Sequence, residues 1–105
     1  MAGLGKFLKQ AQKMQEQMQK VQGELALREV EGTAGGGAVK AIARCDGSIV
    51  KIKLDPKVVD PTDVEMLEDL ILGAVTNALE LAKKTQNDEM AKVTAGMNLP
   101  PGLGM

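Results

Sequence analysis

The stretch AVKAIARCDGSIVKIKLDP, Ala38 to Pro56, decides the fold. Val39, Ala41 and Ala43 alternate with Lys40, Ile42 and Arg44, the period-two pattern of a half-buried strand. Asp46-Gly47 is the dipeptide of a tight hairpin turn. The return strand, Ser48 to Asp55, sets Val50, Ile52 and Leu54 on one face and Lys51 and Lys53 on the other, and Pro56 ends it. Four cations, Lys40, Arg44, Lys51 and Lys53, then share the outer face of the hairpin.

Upstream of the hairpin, Gly32 to Gly37 holds four glycines in six residues and reads as a turn or flexible loop, preceded by an extended stretch, Arg28 to Glu31. Before it the chain is free of proline and rich in Gln, Lys, Met and Ala, which predicts a helix from Leu4 to Leu27 with Gly23 as its weak point. Leu4, Phe7, Ala11, Met14, Met18, Val21 and Leu25 recur at alternating three- and four-residue steps, the seam of a coiled-coil-like helix available to the core or to a second copy. On the same register Lys6, Lys13 and Lys20 occupy one heptad position with Lys9 beside them, a file of cations about 10 Å apart.

Downstream, the segment Asp60-Pro61-Thr62-Asp63-Val64-Glu65 carries a helix start, with either Asp60 capping and Pro61 in the first turn, or Thr62 and Glu65 forming a capping box. Val64, Leu67, Leu70, Ile71, Ala74, Val75, Ala78, Leu79 and Ala82 then form an apolar stripe wide enough to cover the inner face of the sheet. Beyond Ala82 the helix turns polar, with Lys83, Lys84 and Lys92 on an outer surface, and is expected to project from the body. Residues 1–95 read as one domain, and 96–105 as a flexible tail rich in Gly and Pro.

Composition narrows the chemistry. The 105 residues include one aromatic side chain, Phe7, so aliphatic residues and methionines must fill the core, and sharing apolar surface with a second copy is the expected solution. Cys45 is the only cysteine and there is no histidine, which removes internal disulfides, the commonest general base and the commonest zinc ligand. The sequence shows no signal peptide or membrane span, and a cytoplasmic, non-enzymatic protein without cofactor or metal is expected. The carboxylates around Asp60, Asp63, Glu65, Glu68 and Asp69 suit the positive end of a helix better than a cation site. The glycine cluster leads into a strand, unlike a phosphate loop that opens a helix.

Charge is unevenly spread. The net charge is −1, yet residues 1–53 carry +4 and residues 54–105 carry −5. One surface can therefore meet an anion while another stays acidic. Lysines at Lys6, Lys9, Lys13 and Lys20, with Lys83, Lys84 and Lys92, would hold a phosphate backbone through charge and counterion release, a salt-sensitive mode with little sequence selectivity. With no aromatic platform for stacking bases, duplex DNA is favoured over single strands.

The glutamine- and methionine-rich opening helix, the triple glycine followed by Val39-Lys40, Leu54-Asp55-Pro56, DPTDVEMLEDLI (Asp60 to Ile71) and Thr94-Ala95-Gly96-Met97 together resemble the YbaB/EbfC family of bacterial nucleoid-associated proteins over nearly the whole chain. The resemblance implies an α/β protein of the α+β type: a long N-terminal helix, a three-stranded antiparallel sheet and a long C-terminal helix. It also implies an intertwined or sheet-sharing homodimer with protruding helices that binds double-stranded DNA in the nucleoid. Ala41 and Ala43 stand where larger β-branched residues are usual, which should thin the core. The competing reading from the residues is a protein-interaction adaptor in DNA replication or recombination, using the acidic second half and the glutamine-rich flanks of the first helix.

Overall fold

The computed structural model of the protein describes residues 2–96. The chain forms a helix α1 (Ala2–Leu27), three strands β1 (Glu29–Ala34), β2 (Val39–Arg44) and β3 (Ile49–Leu54), a short 3-10 turn (Pro56–Val58) and a helix α2 (Val64–Gly96). The strands make one antiparallel sheet in the order β1-β2-β3. This is the expected architecture of two long helices around a three-stranded meander. The flexible tail expected at the C-terminus lies, past Gly96, outside the described residues.

The strand β1 runs further than the glycine content suggests. Gly32, Thr33 and Ala34 pair with Ala41, Lys40 and Val39, so the turn is confined to Gly35–Ala38. The glycine of the strand serves the packing of α2. A Cβ at Gly32 would collide with the backbone nitrogen of Ala78 and approach the Ala74 carbonyl oxygen to 2.5 Å. The remaining three glycines do make the turn: Gly35, Gly36 and Gly37 hold φ of 63°, 67° and 94°, values that a side chain disfavours.

The core is a sheet of small residues under a helix of small residues. Val39, Ala41, Ala43 and Cys45 of the hairpin are buried against Ala74, Ala78 and Ala82 of α2, with Leu25 of α1 closing one end. Ala41 and Ala43 thus bring the helix close to the sheet, where larger side chains would hold it off. Asn77 Nδ2 adds a hydrogen bond of 2.8 Å to the Thr33 carbonyl, fastening α2 to β1.

Two local expectations are corrected. The helix α2 is capped by Asp63, whose Oδ1 accepts the Met66 amide at 3.2 Å, and neither Asp60 nor Thr62 caps it. Asp60 instead accepts from the amide and hydroxyl of Thr62, holding Asp60 to Thr62 in a turn ahead of the helix. In β3, Lys51 faces Ile42 while Ile49 faces Ala43, so Val50 is the extra residue of a β-bulge. The inner-facing positions are consequently Ile49, Ile52 and Leu54, and Val50 leaves that row.

Candidate nucleic-acid interface

The helix α1 sorts its residues by angle. At about 100° per residue, Lys6, Lys9, Lys13 and Lys20 fall within an arc of roughly 60° on the side away from the apolar seam. All four are exposed, and none forms an ion pair among the described residues. From Lys6 to Lys20 the file extends about 21 Å along the axis. Lysine stems have the length to follow an uneven anionic surface, and their ammonium groups act as mobile point charges.

The seam is only partly used within one chain. Leu25 is 3% exposed, Val21, Met18 and Met14 are half-buried, and Ala11 and Phe7 are exposed, Phe7 by 68%. Burial therefore decays from the body toward the N-terminus, and Leu4 and Leu8 are bare as well. The base of the helix is anchored to α2: Arg28 Nη1 meets Glu89 Oε1 at 3.4 Å. Past Ala82, α2 keeps a half-buried line through Met90, Val93 and Thr94, so this polar segment is backed on one side.

The three lysines expected on α2 differ in their surroundings. Lys83 and Lys84 are exposed on the side away from the Ala74–Ala78–Ala82 stripe, without ion pairs among the described residues. Lys92 is exposed but pairs with Glu89 at 3.2 Å. The Glu89 carboxylate is thus shared by two cations. The hydrogen bond and charge of Lys92, with a smaller part from Arg28, hold it below the ordinary glutamate range. The Glu89–Lys92 spacing was readable as an i,i+3 pair, and sequence reasoning passed over it.

The sheet adds a second set of cations. Lys40, Arg44, Lys51 and Lys53 stand on its outer face and are all exposed, as the alternation predicted. Lys40 lies 3.9 Å from Glu31, whereas Lys51 and Lys53 form no ion pair among the described residues. At the β2–β3 hairpin, Asp46 Oδ1 accepts the Ser48 hydroxyl at 2.6 Å and its amide at 3.0 Å. Those two bonds, the hydroxyl first, hold the Asp46 carboxyl below its usual range, and Gly47 completes the turn at φ 95°. Cys45 is buried beneath this turn.

A second apolar surface, besides that of α1, is left uncovered. The helix α2 lies over β1 and β2, so the inner face of β3 is bare, contrary to the expectation that the stripe covers the whole sheet. Ile49, Ile52 and Leu54 are each 37 to 42% exposed, beside Val50 at the bulge. No helix among the described residues is long and apolar enough to cross a membrane.

Known proteins resemble the chain in sequence and in fold. A family model described as the YbaB/EbfC DNA-binding family matches residues 1–97. A nucleoid-associated protein of Clostridium novyi (strain NT) is 53% identical over 97 residues, covering 92% of this chain and 85% of the relative. Another, from Caldanaerobacter subterraneus subsp. tengcongensis, is 50% identical over 97 residues, covering 92% and 87%. Among solved structures, an uncharacterized protein from Helicobacter pylori superposes with a TM-score of 0.69 at 15% identity, covering 88% of this chain and 94% of that one, a likeness of fold alone.

Proposed function

The chain belongs to the YbaB/EbfC DNA-binding family, and on that premise we propose that it works as a homodimer gripping the phosphate backbone of duplex DNA with its helical lysines. The observation that carries the reading is the file Lys6, Lys9, Lys13 and Lys20, without an ion pair among the described residues and set opposite an apolar seam on a helix anchored at its base. Lys83 and Lys84 on α2 extend the basic surface, and Lys92 contributes once an incoming phosphate competes with Glu89 for it. Such contacts neutralise phosphates and release counterions without reading bases. The relatives from Clostridium novyi and Caldanaerobacter are named nucleoid-associated proteins, and the role we read for this chain is nucleoid organisation or regulation of gene expression.

Dimerisation is supported by what one chain leaves uncovered. Phe7, Leu4 and Leu8 on α1 and Ile49, Ile52 and Leu54 on β3 are apolar surfaces that a second copy can bury. We read the protein as non-enzymatic, since a chain without histidine has lost its most versatile acid–base group. The adaptor reading, in DNA replication or recombination, draws on the −5 charge of residues 54–105 and predicts pull-down that survives nuclease.

The direct test replaces Lys6, Lys9 and Lys13 by Glu and measures binding to labelled duplex. Reversing three charges in each protomer is expected to weaken binding by about 100-fold or more at low salt while leaving the dimer intact by sedimentation. Unchanged affinity would remove the helix from the interface.

A further inference from the structure

The outer face of the sheet carries an excess of cations that the helical grip does not use. Its outward positions are Glu29, Glu31 and Thr33 on β1, Lys40, Ile42 and Arg44 on β2, and Lys51 and Lys53 on β3. Four cations thus face two carboxylates, in a chain whose net charge is −1. The carboxylates also sit on one edge only. Arg44 stands opposite Glu29 and Lys40 lies near Glu31, so both acids act at the β1 side.

On the β3 side Lys51 and Lys53 form no ion pair among the described residues, and Asp55 lines the hollow beside Lys53. Lys40 and Lys53 are direct cross-strand neighbours, which sets their Cβ atoms about 5 Å apart, and Lys51 is the next outward residue of the same strand. Like charges placed directly opposite each other destabilise a sheet, and a bound anion relieves that repulsion. The hollow beside the pair is lined by Gly37, Ala38, Lys40, Lys53, Leu54 and Asp55 and is open to solvent. An exposed, lysine-bearing strand pair can meet the regularly spaced charges of a polyanion.

The position of this face decides what it can do. The helix α2 covers the opposite side of the same sheet, burying Ala41 and Ala43 against Ala74 and Ala78. Lys83 and Lys84, on the far side of α2, are therefore separated from Lys40, Lys51 and Lys53 by the full depth of the two layers. A straight duplex held along the outer surface of α2 cannot also lie against the outer face of the sheet.

We propose that Lys40, Lys51 and Lys53 form a second phosphate-backbone surface, so that the protein holds a second segment of duplex DNA against its sheet. This rests on the DNA-binding reading above. Its test is a capture assay at fixed low salt, in which bead-immobilised duplex loaded with protein takes up a second, fluorescent duplex of unrelated sequence. The variant K40Q/K51Q/K53Q alters exposed side chains alone, and its melting curve verifies the fold. It is expected to bind a single duplex within about threefold of the unsubstituted protein but to lose second-duplex capture by about tenfold or more, while K40R/K51R/K53R retains capture.

Undiminished capture by the glutamine variant would overturn the proposal, as would the absence of any capture by the unsubstituted protein. Loss of single-duplex binding in that variant would also overturn it, because the sheet would then belong to the main grip. Failure of the helical reading is seen separately, as K6E/K9E/K13E binding a single duplex with unchanged affinity.

Discussion

At the scale of single residues, Gly32 and Asp46 show how different causes select similar-looking sequence. Gly32 is required because the Ala74–Ala78 backbone of α2 rests where its side chain would be. Gly32→Ala should lose about 1–3 kcal/mol of stability, read from thermal or urea unfolding, since the backbone of a helix cannot step aside as a flexible side chain can. Composition could not separate this glycine from Gly35–Gly37, because a demand for positive φ and a demand for close approach both select glycine and only the second depends on a partner 42 to 46 residues away. The hairpin Asp46-Gly47, by contrast, was legible from two letters, since its cause is local. Ser48→Ala removes the stronger of the two bonds that depress the Asp46 carboxyl, so its titration, followed by NMR, should move up toward the ordinary range. A titration that stays where it was would assign the depression to other groups.

At the scale of elements, α1 is one helix with two fates. Its seam was plain in the spacing of Phe7 through Leu25, but spacing gives the face and not what covers it. Leu25→Ala should cost about 2–5 kcal/mol because the residue closes the core. Phe7→Ala should change unfolding by under about 0.5 kcal/mol in dilute protein, with a loss that grows with concentration when a second copy covers the seam. The Glu89 carboxylate, held chiefly by Lys92 of the same helix and in smaller part by Arg28, carries its own pH dependence. Glu89 has its folded-state pKa lowered by Lys92 and Arg28, so its contribution is present above the ordinary glutamate range and is lost as pH falls through the depressed value. Acid unfolding of Glu89→Gln should therefore be less steep than that of the parent in the carboxylate range. The start of α2 was found in the right segment with the wrong cap. Asp60 and Asp63 are equally competent chemically, and the turn that Asp60 makes with Thr62 decided between them.

At the scale of the whole molecule, the β2–β3 hairpin between two long helices and the file Lys6, Lys9, Lys13 and Lys20 were readable, because each follows from a period along the chain, whereas the third strand, interrupted by Gly32, was implied by the family resemblance alone. The uncovered inner face of β3 was not readable, because it depends on how far α2 reaches across the sheet. Ile52→Lys should leave the secondary structure in place, by circular dichroism, and shift the protein toward the monomer in sedimentation; an unshifted dimer would put the interface elsewhere. The central claim, that helical lysines hold the duplex backbone, is tested most directly by the dependence of binding on salt. A dimer using the four α1 lysines of each copy should give a slope of log K against log salt near about −7, with unrelated duplex of equal length competing equally and K6E/K9E/K13E losing most of the slope. A slope shallower than about −2 with strong preference for one sequence would mean that the protein reads bases, and would contradict the account.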